Sequence, residues 1–277
     1  MPAPNAITPE KLSRLVGTAG CPRIIDLRED ATRTIPGAIT GAMPGAIPSG
    51  RPPARRGDPV IVVDRDGGTA ATAAAAVLRS DGADAEILDG GYDAWERAGL
   101  LTVVLTHLPP RRADGRTWWV TRARPKVDRI ACPWLIRRFV DPDARILFVP
   151  PAEVLAVAER ERAEPFDVVD DGVFWSHRGP LCTFDIMVDA FALADHTPLA
   201  RLAAIVRGAD TDRLDLAPEA AGLLAISLGL SRSHGDDHAQ LDAGMPIYDA
   251  LYRWARDAQD ERHTWSSHQP SRARVTA

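Results

Sequence analysis

Apolar and polar positions fall into two rhythms along this chain, and their order predicts strands and helices in turn through the first half. Short apolar runs at 23–27 (RIIDL) and 60–63 (VIVV) read as buried strands, and a third is expected near 85–88. Thr8 and Pro9 supply an N-cap and a first-turn proline for a helix over 8–16. An alanine-rich stretch over 70–79 reads as a second helix, and GGYDAWERAG as a turn that becomes a short amphipathic helix. Residues 35–59 are rich in Gly and Pro and read as loop. Strands alternating with helices at this spacing predict a parallel α/β unit.

The rhythm changes after 105–117, a basic, proline-containing stretch read as a linker. WWVTR predicts a strand, VDRIACPWLIRRFV a helix, ARILFVP a strand and PAEVLAVAERERA a helix, with a hairpin around Asp171-Gly172. Thr197 and Pro198 open a helix that Gly208 should close, and Pro218 and Gly229 bound another. A final helix is expected over 236–258, bent near Pro246, with Ile247, Tyr248, Leu251 and Trp254 on its core face. Trp118, Trp119, Trp134 and Trp175 read as core. The expected organisation is an α/β domain with a parallel sheet over 1–104, the linker, a helix-rich α+β domain over 118–258, and a polar tail over 259–277.

Composition narrows the classes. The 277 residues carry a net charge of −5, with 45% hydrophobic and 26% charged residues, as in an ordinary globular protein. Such a charge gives no global attraction to nucleic acid, so any such contact needs a local patch. No apolar run reaches the roughly 20 residues that span a bilayer, and the N-terminus shows no secretory signal. Cys21, Cys132 and Cys182 form no CxxC pair. That argues against a disulfide scaffold and fits a reducing cytoplasm.

The loop IVVDRDGGT at 61–69 lies between a strand and a helix N-terminus, where backbone N–H groups can cradle a reactive side chain. With IIDLRE at 24–29, IPGAI at 35–39 and LDGGYDAW at 88–95, residues 8–99 resemble a rhodanese-like domain. That family carries sulfane sulfur on a loop cysteine, and Asp64 stands at the matching position. A carboxylate cannot hold a persulfide, so the resemblance implies the fold without sulfur transfer; an active rhodanese-type sulfurtransferase is the disfavoured alternative. The DRDGGT run also resembles the DxDGT loop of haloacid-dehalogenase-type phosphatases, interrupted by an extra glycine. The plain reading is that Asp64 caps the following helix.

Residues 118–257 resemble the chromate-resistance family, through its ChrB-type C-terminal domain. The carrying stretches are WVTRARPKVDRIACPWLIRRFVDP at 119–142, HRGPLCTFD at 177–185, IVRGADT at 205–211, PEAAGLLAISLGLS at 218–231 and DDHAQLDAGMPIYDALYRW at 236–254. The resemblance implies a role in chromate resistance, with chromate-responsive gene regulation as a family theme.

The residues themselves offer several chemistries. Arg122, Arg124, Lys126 and Arg129 cluster ahead of a helix and could bind chromate or a related oxyanion, contact promoter DNA, or simply be solvated. Cys132, if it capped a helix starting at Pro133, would favour thiolate. His177, Asp210 and His238 are the candidate ligands for a divalent transition metal (Zn, Fe or Mn), with Cys182, Asp185 and Asp237 nearby. His234 and His238 would share a face if the last helix began early. The leading expectation is a cytoplasmic sensor or accessory factor that binds a metal or oxyanion. A metal-dependent enzyme and a DNA-binding regulator are the alternatives.

Overall fold

The computed structural model describes residues 5–29, 31–40, 57 and 59–261. Most of the loop expected over 35–59, and most of the tail expected over 259–277, lie outside the described residues.

The first half alternates as its sequence predicts. In order come β1 (Ala6–Ile7), α1 (Pro9–Ser13), β2 (Arg23–Asp26), β3 (Arg33–Thr34), β4 (Ile39–Thr40), β5 (Pro59–Val63), α2 (Thr69–Ser80), β6 (Asp84–Leu88), α3 (Gly91–Arg97) and β7 (Val103–Val104). The Thr8 side chain accepts from the Lys11 N–H at 3.4 Å, capping α1. Five strands form a parallel sheet in the order β1-β6-β5-β2-β4. Successive side chains of a strand point to opposite faces. Val60 and Val62 therefore pack against Ala71, Ala74 and Leu78 of α2, while Ile61 and Val63 pack with Leu12, Tyr92 and Trp95.

The second half contains β8 (Trp118–Arg122), α4 (Asp128–Leu135), β9 (Arg145–Val149), α5 (Val154–Glu161), β10 (Glu164–Pro165), α6 (Thr183–Ala190), α7 (Thr197–Asp210), α8 (Ala220–Ser233) and α9 (Asp237–Asp257). Its small parallel sheet runs β10-β8-β9. Trp119, Trp134 and Trp175 are fully buried, whereas Trp118 is half-buried between the guanidinium groups of Arg112 and Arg145. No helix among the described residues is long and apolar enough to cross a membrane.

The halves are packed together, and the 105–117 segment is tied down. Arg23 pairs with Asp143, and the Gly37 N–H donates to the Phe139 carbonyl at 2.6 Å. Val103 belongs to the core of the second half, Leu105 and Leu108 lie against it, and Arg111 reaches Asp141 at 2.9 Å.

Four local expectations are corrected. Gly208 does not end its helix: a Cβ there would come within 2.9 Å of Ala220 Cβ, so the glycine permits close packing of α7 on α8. The helix runs on to Asp210. The hairpin around Asp171-Gly172 is replaced by an irregular loop, in which Asp170 Oδ1 accepts from the Gly172 N–H and a single parallel bridge joins Phe166 and Trp175. The helix read over VDRIACPWLIRRFV does begin near its start, at Asp128, so the condition for a Cys132 cap fails: Pro133 is internal and Cys132 lies in the core. Finally, α9 starts at Asp237, whose N-cap Asp236 accepts from Ala239, so His234 lies outside it at the C-cap of α8.

Candidate metal centre

Asp128 is buried at the first turn of α4. Its carboxylate accepts the N–H groups of Thr183 at 2.7 Å and Phe184 at 3.2 Å, so it also satisfies open donors at the start of α6. Asp210 ends α7 and accepts from the Asp128 N–H at 3.4 Å. Asp167 sits in the loop before His177 with φ +52, a left-handed conformation that aspartate tolerates better than most residues. Arg122 at 2.9 Å, Arg129 at 3.2 Å and the Thr183 hydroxyl at 3.3 Å hold its carboxylate.

These elements converge on one imidazole. His177 Nε2 lies 3.5 Å from Asp128 Oδ2, 3.4 Å from Asp167 Oδ1 and 3.3 Å from Asp210 Oδ2. Among the described residues, the ligand atoms of Asp128, His177 and Asp210 all lie within 4.8 Å of one another. Hydrogen bonding to Asp128, then to Asp167 and Asp210, pushes the imidazole pKa far above the usual histidine range. Burial pushes the Asp128 carboxyl up. Burial also works to raise Asp167, but the His177 hydrogen bond and the Arg122 charge prevail and hold it down. His177 is 39% exposed at its side chain, so solvent reaches the cluster through it. One imidazole nitrogen with two or three carboxylate oxygens is a donor set suited to Mn, Fe or Zn.

The loop at 64–69 is built differently. Asp64 is buried, and its carboxylate accepts the N–H of Gly67 at 2.6 Å and of Ala71 at 2.9 Å. The side chain thus occupies the cradle that a bound anion would use. Gly67 and Gly91 let this loop press on the next turn, since a Cβ on Gly91 would meet the Gly67 nitrogen at 2.5 Å. Asp64→Ala is expected to cost about 1–2 kcal/mol of stability through loss of these helix-start hydrogen bonds. Urea unfolding measures it, and an unchanged midpoint would refute the capping role.

Residues 8–98 match the rhodanese-like domain, and residues 119–255 match the family described as ChrB, C-terminal domain. The second half is thus similar to the ChrB C-terminal domain over nearly its whole length. Protein ChrB of Cupriavidus metallidurans is 34% identical over 146 residues, a match covering 52% of this chain and 42% of that protein. The match thus spans less than half of that relative.

The second half places the other candidate residues elsewhere. His238 does not join His177 and Asp210; its ring meets Phe148 edge-on at 5.3 Å. The missed member is Asp128, whose only local signal is an acid at the start of an apolar helix. Arg122 and Arg129 engage Asp167, while Arg124 turns to the Ser231 and His234 carbonyls at the end of α8, and Asp237 accepts the Arg124 N–H at 3.0 Å. Lys126 of the same stretch is exposed. Cys132 and Cys182 are buried, and burial raises both thiols far above their usual range, which opposes thiolate chemistry. Asp185 closes a capping box on α6 and pairs with Arg207 at 2.9 Å.

Proposed function

We propose that the ChrB domain binds a divalent transition metal on Asp128, His177 and Asp210, with Asp167 held alongside, and serves chromate tolerance as a sensor or accessory factor. The carrying observation is the approach of three carboxylates within 3.5 Å of one His177 nitrogen. Arg122 and Arg129 offset Asp167, so a dication bound at His177 would face the two remaining carboxylates, Asp128 and Asp210, whose charge it matches. Asp167, anchored by two arginines, would orient the set from behind.

Metal analysis of protein purified without chelator tests this. His177→Ala should lose bound metal, His238→Ala should keep it, and equal metal in wild type and His177→Ala would refute the site. A second readout uses protons. Without metal, the raised His177 pKa contributes stability that is full below about pH 6.5 and is lost as pH rises toward the folded value. A metal must displace that proton, so its apparent affinity should rise with pH above about 6.5. Calorimetry in two buffers of different ionisation enthalpy detects the release.

A metal-dependent enzyme is the second reading, favoured by one observation. A cavity of about 530 Å³ is lined by Gly179, Leu181, Arg207, Thr211 and Leu216, on the loop after His177 and around the helix end bearing Asp210. Metal-dependent turnover that disappears in His177→Ala would favour it over the sensor.

A further inference from the structure

Helix α8 carries its polarity inside out. Ala220, Leu223, Ser227 and Ser231 are buried on its inner side, and the Ser231 hydroxyl lies 3.4 Å from the Arg124 guanidinium. Its outer side bears Gly222, Ala225, Ile226 and Gly229, all exposed and at the i, i+3, i+4, i+7 spacing of one helix face. Ile226 is 47% exposed, and Leu228 beside this face is 46% exposed. A surface helix ordinarily turns its polar face to water, and an exposed apolar face marks a contact surface.

The glycines point the same way. Gly208 and Gly244 have reasons within the chain, since a Cβ would meet Ala220 at 2.9 Å and Ile130 at 2.7 Å. A Cβ on Gly222 or Gly229 would meet nothing within 4 Å. Glycine weakens a helix relative to alanine, and what it offers in return is close approach of another backbone. Among the described residues nothing makes that approach.

The pattern along the helix selects the occupant. The charged residues of α8 and its N-cap are Glu219 and Arg232, one at each end. They lie at equal distances from the Ala225–Ile226 step, and so do Gly222 and Gly229. An antiparallel copy of the same helix, centred on that step, sets glycine level with glycine and brings the Glu219 end of one helix to the Arg232 end of the other. It also places each helix N-terminus by the C-terminus of its mate, which the helix dipoles favour. A single arginine is too little charge to draw this face to anionic lipid.

We propose that α8 pairs with α8 of a second copy of this chain in a two-fold, antiparallel contact. Stable complexes bury about 800 Å² per partner, and α8, with 14 residues, is only about 21 Å long, so the dimer is weak and concentration-dependent.

The test is sedimentation equilibrium of the full chain over about 1–100 μM, where a contact of this size half-dissociates. Chelator keeps the metal site out of the result. Wild type should pass from monomer to dimer across the range. Gly229→Glu and Ile226→Glu each put an unpaired charge into the contact and should weaken association at least about tenfold. Both positions are exposed in the protomer, so both variants should keep the wild-type circular dichroism spectrum. Oxidation tests the location: Ala225→Cys should form a disulfide-linked dimer, and Val77→Cys, also exposed but on the first half, should not. A monomer at every concentration, a dimer unchanged in both glutamate variants, or crosslinking of Val77→Cys in place of Ala225→Cys would overturn the proposal.

Discussion

Asp128→Ala should abolish tight divalent-metal binding and weaken the metal-free protein as well. Losing a residue that merely supports a ligand typically costs 10–100-fold in affinity, so removing a direct ligand should cost more than about 100-fold. The same substitution strips the acceptor from the Thr183 and Phe184 N–H groups at the start of α6. An uncapped helix start costs about 0.5–2 kcal/mol. His177→Ala should lose the metal but keep the cap. Comparing the two variants by metal titration and by urea unfolding in chelator separates the roles. Wild-type metal affinity in Asp128→Ala would sink the assignment.

Trp134→Ala should be the most damaging single change to stability, at about 3–5 kcal/mol. The side chain is fully buried among Phe139, Phe184, Tyr248 and Tyr252, with ring centroids 5.4–6.4 Å apart across the group. Its indole N–H donates to Asp249 Oδ1 at 2.8 Å, and Arg138 grips the same carboxylate with two bonds of 2.8 Å. Truncation leaves a cavity and takes one donor from a partly buried acid. A domain holds only about 5–15 kcal/mol in all, so much of its stability is at stake. Trp118→Ala is the control. That ring is half-buried between two arginines, and its loss should cost roughly 1 kcal/mol. Similar urea midpoints for the two variants would show that the aromatic cluster does not anchor the second half.

Much of the fold was legible because local rules agreed with the global arrangement. Thr8-Pro9 at α1, the apolar run of β5 and the turn before α3 each read correctly in isolation. The misreadings have a common cause. Gly208 looks like a helix stop, but its meaning depends on Ala220 of another helix. A cap at Cys132 would need a helix starting at Pro133, but the helix already runs from Asp128, so the cysteine is carried into the core. The basic stretch looked like an anion cradle, but Asp167 and the end of α8 claim its arginines.

By itself the sequence determined the strand-helix alternation of the first half, the helical second half and the absence of a cysteine at position 64. Those features rest on periodicity and on the identity of single residues, which adjacent positions carry in full. It also marked His177 and Asp210 as residues of interest. Only the tertiary structure decided that Asp128 and Asp167 stand beside them, that His238 meets Phe148 instead, and that Asp64 fills its own loop. The cluster draws on the start of α4, an irregular loop and the end of α7, which no repeat in the chain connects. Charge convergence is a property of distance in space, and distance in space is set by packing.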